Sequence, residues 1–394
     1  MTSVINGRLI IPDDDGNFTI CAGKAINFGE KIISIGNPIE DAEIIDAHGQ
    51  FVSPGFINVH IHGANGVDTM DDDINALKTF ANFLPSCGVT SFLPTTMTMP
   101  LDKIYRAFER IRLAKNFSGG AKILGANMEG PFISRKFNGA QAEENIIAAD
   151  FSLIENFSDV IKIITVAPEE IDFEFIDRCR EKNIVVSIGH SAADYDTAIS
   201  AIKRGANHVT HLFNAQTPLH HRKPGIVGAA LDSSVMVELI ADNIHVSPTA
   251  QRITAKVKPL SQITLITDSF RACGIGEGVS ELGGQKVFVS GNLARLADGT
   301  IAGSVATMNT VLKNFHVNTN LDIPSCVSTV TKNPAQELGI FDLLGSLEVG
   351  KSADIVIFDD DFNIDKTFIN GQRDVASNGR DKCFNNRNKL PRLK

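Results

Sequence analysis

Two histidines separated by a single residue, His60 and His62, end the apolar run Phe56-Ile57-Asn58-Val59-His60-Ile61-His62-Gly63. On a strand, residues two apart point the same way, so both imidazoles aim at one point. Paired imidazoles at a strand end suit a divalent metal. Further N and O donors stand at comparable places. Glu129 closes Asn127-Met128-Glu129-Gly130-Pro131-Phe132, and His190 closes Ser187-Ile188-Gly189-His190-Ser191. His211 lies in His208-Val209-Thr210-His211-Leu212-Phe213-Asn214, and Asp268 closes Ile266-Thr267-Asp268-Ser269. A His-x-His pair alone is commonly structural. Several such donors at the ends of separate apolar runs are poor core filler, because a buried carboxylate costs on the order of several kcal/mol unless it is paired or metal-bound. Imidazole and carboxylate ligands with an open position suit a Lewis-acid hydrolase. The metal brings the pKa of a bound water towards neutrality and polarises a carbonyl. Asp268, as a free carboxylate beside that water, can take its proton and deliver it to a leaving nitrogen.

Those residues must be held by a scaffold that brings distant runs to one rim. Eight short apolar runs recur at roughly 30-residue spacing, the length of a βα unit. They are Phe56–His60, Thr90–Pro94, Ile123–Met128, Ile161–Val166, Ile184–Ile188, His208–Leu212, Val235–Ile240 and Ile263–Thr267. Segments between them, such as 74–80 and 104–112, have helical periodicity. Near-continuous apolar strands alternating with helices predict a parallel sheet covered by helices. Eight of them predict a (β/α)8 TIM-type barrel, whose catalytic face is the C-terminal end of the strands. The first run lacks a Gly-x-Gly-x-x-Gly turn after it, which disfavours a dinucleotide fold. The chain is 394 residues long, enough for such a barrel with an appendage. Residues 1–52 read as short strands with polar turns, and the same texture returns at 345–372.

Other features weigh less. His208 stands three residues before His211, so strand parity turns it to the opposite side and makes it structural. His48 and His316 carry no supporting context. His245 follows the seventh run and reaches the same rim. His220-His221-Arg222-Lys223 is a basic loop in an acidic chain, readable as a solvated loop or as an anion clamp, since Arg recognises phosphate bidentately. Gly274-Ile275-Gly276-Glu277-Gly278 lacks the Gly-Lys-Ser/Thr of a phosphate loop and is expected to be mobile. Cys273, near Asp268, is expected to be a spectator thiol. The net charge is −9, from 37 basic and 46 acidic residues, which predicts neither nucleic acid nor an anionic membrane as partner. No apolar run reaches the ~18 residues of a membrane span. The N-terminus carries no secretory signal pattern, and the six cysteines form no CxxC pair, so reduced thiols in a cytoplasmic protein are expected. The absence of tryptophan, with only 2 tyrosines, argues against an aromatic carbohydrate platform. The tail from Arg373 is polar and basic, expected to be a loosely docked terminus.

Taken together, these motifs resemble the amidohydrolase superfamily and, within it, the deacetylases of N-acetylglucosamine 6-phosphate. The resemblance runs from Pro54–Gly63 to Gly350-Lys351-Ser352-Ala353-Asp354. Its specific signatures are Glu129-Gly130-Pro131-Phe132, Gly189-His190-Ser191, His211-Leu212-Phe213-Asn214-Ala215, His221-Arg222-Lys223-Pro224-Gly225 and Thr267-Asp268-Ser269. Glutamate in Glu-Gly-Pro stands where many superfamily relatives use a carboxylated lysine. The resemblance implies a metal-dependent barrel over 53–345, a small β-sandwich domain from 1–52 and 346–380, and a basic tail at 381–394. It implies hydrolysis of the acetamide of N-acetyl-D-glucosamine 6-phosphate to D-glucosamine 6-phosphate and acetate. The alternatives are the galactosamine epimer as substrate, or a non-catalytic scaffold. By position, Glu129, His190 and His211 hold the principal metal and Asp268 is the general base, then acid. Backbone groups of Asn214 and Ala215 bind substrate near its phosphate. Arg222 reaches the phosphate from the neighbouring subunit, which implies a homodimer. His245 contacts the substrate, and Ala140 with Ile301-Ala302-Gly303 lines its pocket. Some relatives lack the His-x-His histidines and use one metal. With His60 and His62 present, a second metal bridged by Glu129 is implied, making one or two per subunit. Zinc is the first expectation, with iron, manganese or cobalt as the others. Gln141 stands where some relatives have histidine.

Overall fold

The computed structural model describes residues 1–374. The expected tail at 381–394, and residues 375–380 of the expected β domain, lie outside the described residues. Eight parallel strands follow the eight apolar runs: Phe56–Ile61, Val89–Thr96, Ala126–Glu129, Ile161–Val166, Val185–Ile188, His208–Val209, Met236–Leu239 and Ile263–Leu265. They pair in chain order. The remaining seam is drawn together beyond the ladder. The Asp268 N–H donates to the His60 carbonyl at 3.0 Å, and Asn58 Nδ2 donates to Thr267 Oγ1 at 2.8 Å. The result is a nearly closed TIM-type barrel. Strands such as Phe56–Ile61 and Val89–Thr96 are buried along their whole length, as strands covered on both faces must be.

The helices bury one stripe each. In Leu101–Ala114, Ile104, Ala107, Phe108 and Ile111 face the core, at the three-and-four spacing of an amphipathic helix. Ile74–Phe83 begins where the Asp73 carboxylate accepts from the Asn75 N–H, satisfying one of the orphan donors of a helix start. These stripes and the strands share one large apolar cluster.

Both chain ends build the second unit. One sheet runs Gln372–Arg373, Ile364–Ile369, Ile355–Phe358, Phe51–Pro54, Arg8–Pro12, Phe18–Cys21. The C-terminal hairpin joins it antiparallel to Phe51–Pro54, with Val356 opposite Ser53. A four-stranded sheet of Ile32–Gly36, Ala25–Phe28, Thr2–Ile5 and Glu43–Asp46 faces it. Val4, Leu9, Ile26, Phe28, Val52, Ile355, Ile357 and Phe368 fill the space between.

Two features depart from the sequence reading. The sixth strand stops at Val209 rather than Leu212, because the chain turns before His211, whose φ is +25°. Residues 274–277 form no strand or helix, and a sheet that the sequence reading omits follows them. Gly278–Leu282, Gln285–Ser290 and Leu293–Arg295 form a three-stranded antiparallel sheet. Gly283 and Gly284, at φ +58° and +83°, make the two-residue hairpin turn that only residues tolerant of positive φ form readily.

Candidate metal-dependent active site

The four histidines and two carboxylates meet at the C-terminal rim. His60 lies within the first strand and His62 just beyond it. Glu129 ends the third, and His190, His211 and Asp268 follow the fifth, sixth and eighth. Three of these sit in left-handed backbone: His190 at φ +49°, His211 at +25° and Asp268 at +47°. Each such residue costs on the order of 1–3 kcal/mol and persists only where its surroundings hold it. Here they do: Ser134 N–H donates to the His190 carbonyl (2.8 Å), Asn214 N–H to that of His211 (3.0 Å) and Ser304 N–H to that of Asp268 (2.8 Å). Gly189 lets the fifth strand lie close to its neighbours before His190. A Cβ there would sit 2.6 Å from Thr210 Cβ and 2.8 Å from Thr165 Cγ2.

The hydrogen bonds fix how each imidazole presents itself. His190 Nδ1 lies 3.0 Å from the Phe137 carbonyl, His211 Nδ1 3.1 Å from that of Asn214, and His62 Nδ1 3.2 Å from that of Thr95. His60 Nδ1 lies 2.9 Å from Glu238 Oε2. All four partners only accept, so each Nδ1 carries the proton and each Nε2 keeps a lone pair. Those lone pairs converge on carboxylate oxygens. Glu129 Oε1 is 3.1 Å from His190 Nε2, 3.0 Å from His211 Nε2 and 3.5 Å from His60 Nε2. His62 Nε2 stands 3.2 Å from both Glu129 Oε2 and Asp268 Oδ1. His190 Nε2 and His211 Nε2 are only 3.2 Å apart. Lone pairs facing lone pairs repel, unless a cation lies among them. The buried His60 Nε2 has no hydrogen-bond partner, as a metal donor would not. The donor atoms group as His60–His62–Glu129 and Glu129–His190–His211, each set within 4.8 Å of one another. Imidazole with carboxylate is the donor set of zinc and the other first-row divalent cations, so the residues fit the metal that the sequence implied.

The electrostatics agree. Burial disfavours charge on Glu129 and Asp268, yet the neighbouring histidines hold both carboxyls below the ordinary carboxylate value, Glu129 well below. Unless a cation takes its Nε2, His62 draws a second proton there instead: burial opposes the charge, but hydrogen bonds to Asp268 and Glu129 raise its pKa well above the ordinary value. Two buried carboxylates demand positive charge in this place.

A cavity of about 170 Å³ opens over these groups. His62, Glu129, His190, His211 and Asp268 floor it. Of the expected substrate contacts, Ala140, Asn214, Ala215, His245, Ile301 and Gly303 line it. Ala302 does not; it is wholly buried and its N–H donates to Ala294. Arg222 is exposed and stands apart from the cavity lining, its guanidinium 2.6 Å from His221 Nε2. His245 Nδ1 is 2.7 Å from Asp242 Oδ2, which leaves Nε2 for a ligand. His208 touches no part of the cavity. It does not face away from the barrel as parity suggested; its Nε2 lies 3.1 Å from Glu238 Oε1, on the carboxylate that holds His60.

Two residues at the site were not assigned from sequence. Gln141 Oε1 accepts from Thr98 N–H (2.7 Å), which turns Nε2 to donate to Glu129 Oε2 at 2.5 Å. Glu238 is the other. Its signal was a lone acid in Met236-Val237-Glu238-Leu239-Ile240, where an unpaired charge is not tolerated.

The profile of the amidohydrolase family matches residues 51–373. The N-acetylglucosamine-6-phosphate deacetylase of Bacillus subtilis (strain 168) is 42% identical over 328 residues, covering 81% of this chain and 83% of its own. The N-acetylgalactosamine-6-phosphate deacetylase of Escherichia coli O157:H7 is 33% identical, covering 94% of this chain and 99% of its own. The crystal structure of N-acetylglucosamine-6-phosphate deacetylase from Pasteurella multocida superposes with a TM-score of 0.89 at 31% identity, covering 94% of this chain and 99% of that one.

Proposed function

The chain belongs to the amidohydrolase family, and on that premise we propose that it removes the acetyl group from N-acetyl-D-glucosamine 6-phosphate. The products are D-glucosamine 6-phosphate and acetate. The observation that carries this reading is the convergence of four Nε2 lone pairs on Glu129 and Asp268 at the floor of one cavity. The relatives' activity supplies the substrate class.

Glu129, His190 and His211 would hold the principal cation, and His60 and His62 with Glu129 would hold a second. A divalent cation so held supplies an acidified water and polarisation of the acetamide carbonyl. Zinc is the first candidate; iron, manganese and cobalt share the same donors. Asp268 takes the proton from the attacking water. As the carbon–nitrogen bond breaks, the same carboxyl returns that proton to the sugar nitrogen, which leaves as the amine. Its place fits both duties: it lines the cavity and is held below the ordinary carboxylate range, so it starts as a base. His245, Asn214, Ala215, Ala140, Ile301 and Gly303 receive the sugar, with Ala302 backing the segment. Arg222 reaches the phosphate of a neighbouring subunit, which makes the working unit a homodimer; its exposure away from its own cavity supports that reading.

The two-sheet unit described within 1–52 and 346–374 belongs to what we propose as a small β domain of 1–52 and 346–380, on a barrel spanning 53–345. No helix among the described residues is long and apolar enough to cross a membrane, and we place the enzyme in the cytoplasm. The test is acetate release by the metal-stripped chain reloaded with Zn²⁺, Fe²⁺, Mn²⁺ or Co²⁺. N-Acetylglucosamine 6-phosphate should be the better substrate. A higher kcat/KM on the galactosamine epimer, the substrate in the name of the Escherichia coli relative, would reassign the sugar. No acetate from either with any metal bound would refute hydrolysis and favour the scaffold.

A further inference from the structure

Beneath the cavity floor, three charged side chains are buried without a part in the reaction just described. Glu238 of the seventh strand and His208 of the sixth are 0% exposed, and Glu337, the last residue of helix Lys332–Glu337, is 3% exposed. His208 Nδ1 lies 2.5 Å from Glu337 Oε1, and His208 Nε2 lies 3.1 Å from Glu238 Oε1. His208 Nδ1 hydrogen-bonds Glu337, and its Nε2 stands within ion-pair reach of Glu238 without a hydrogen bond; a buried imidazole between two carboxylates carries the positive charge, so His208 is an imidazolium. Glu238 therefore stays a carboxylate and only accepts. Its other oxygen, Oε2, accepts from His60 Nδ1 at 2.9 Å and from the His211 N–H at 3.0 Å.

The three other converging imidazoles are pinned by backbone carbonyls, those of Thr95, Phe137 and Asn214. His60 alone is pinned by a carboxylate. A carboxylate on the far nitrogen fixes tautomer and ring orientation and raises the basicity of the ligating one. Glu238 and Glu337 carry two negative charges against one positive charge on His208. The residual negative charge lies beside His60, and a positive charge across that ring is what makes its burial tolerable.

We propose that Glu238 is a positioning residue. By accepting from His60 Nδ1–H it fixes that imidazole as an Nε2 donor, and so sets the affinity of the cation position formed by His60, His62 and Glu129. The rings of His190 and His211 keep their own carbonyl pins, and of that first position Glu238 holds only the His211 backbone N–H. This rests on the metal-hydrolase reading above.

Two variants separate positioning from scaffolding. Glu238→Gln keeps an acceptor for His60 and His211 and turns its amide nitrogen to His208, which then accepts as a neutral ring. Glu238→Leu removes the acceptor at similar volume and leaves a neutral His208–Glu337 pair. Metal-stripped chains are titrated with Co²⁺, with bound metal counted by elemental analysis and the two positions followed by Co²⁺ absorption. The wild type should take two equivalents. In Glu238→Leu the second should weaken ~10–100-fold while the first stays within about threefold; Glu238→Gln, which keeps the acceptor and loses the charge, should weaken the second less than Leu does and leave the first within about threefold. A Leu variant with two wild-type equivalents overturns the proposal. So does equal weakening of both positions, or a Gln variant as weak as Leu, or a wild type that takes only one equivalent. If Glu238→Leu does not fold, ¹⁵N-histidine NMR of the zinc-loaded wild type decides. A hydrogen-bonded His60 Nδ1–H proton supports the assignment, and its absence overturns it. A wild type that binds no cation overturns the hydrolase reading and this proposal together.

Discussion

Replacing His208 with glutamine gives a stability experiment whose size and sign follow from the buried chain of charges. Burial opposes protonation of His208, but Glu337 and Glu238 outweigh it and push its pKa from 6.5 up to about 10. The native state therefore holds a proton that the unfolded chain releases above pH 6.5. Stability contributed by this group is complete below pH 6.5 and declines as pH rises, until it is gone above about 10. At ~1.4 kcal/mol per pH unit, the interval amounts to about 5 kcal/mol as an upper bound. Lys258 works in the opposite direction over part of this window. Burial lowers its pKa from 10.5 to about 8, so its contribution rises with pH between those values. The absolute pH profile of the wild type is thus flattened above pH 8, and the informative quantity is the difference between wild type and His208→Gln. Urea unfolding of both metal-stripped chains, followed by circular dichroism at pH 6.5 to 10, should show that difference shrinking by up to about 5 kcal/mol. Parallel profiles, with a change under about 1.4 kcal/mol, would refute a buried imidazolium and the charge balance assigned to Glu238.

Three further outcomes follow from the site. Asp268→Asn should lower kcat by ~10²–10⁴-fold with metal content unchanged by elemental analysis; more than a tenth of wild-type turnover would remove Asp268 from the proton path. Arg222→Ala should raise KM for the phosphorylated sugar ~10–100-fold, the worth of charged hydrogen bonds to a phosphate. It should leave KM for unphosphorylated N-acetylglucosamine unchanged, and equal effects on both sugars would mean the loop is not an anion clamp. Gly189→Ala places a Cβ 2.6 Å from Thr210 Cβ, an overpacking that costs about 1–3 kcal/mol; a thermal midpoint equal to wild type would show that the strand spacing before His190 is not set by that glycine.

Much of this architecture was written in local pattern. Period and length alone located all eight barrel strands to within a few residues, because strands covered on both faces are apolar over most of their length, and polar residues as isolated as Asn58 and Glu238 do not break the run. The site residues were legible for a similar reason: His60, Glu129, His190, His211 and the base Asp268 each stand at or near the end of an apolar run. What escaped depended on contacts between distant segments. Parity failed for His208 because the sixth strand ends at Val209 and the backbone turns before His211. Ala302 sits between two lining residues and faces away from the cavity. The hairpin around Gly283-Gly284 carried its signal in two adjacent glycines between alternating runs, but that stretch lay beyond the repeat that organised the reading.

Glu129 shows why the convergence matters more than any single motif. Its Oε1 faces His60, His190 and His211, and its Oε2 faces His62 and Gln141. One carboxylate therefore belongs to both donor sets, so neither set is complete without the end of the third strand. The His-x-His pair supplies two of the three members of the second set and none of the first, which is why such a pair is weak evidence when alone. Glu238 links the sets from below, through the His60 ring on one side and the His211 backbone on the other. The barrel thus joins its first, third, fifth, sixth and seventh strands through two carboxylates: one open to the cavity, where a cation can compensate it, and one sealed below, beside a buried imidazolium that it shares with Glu337.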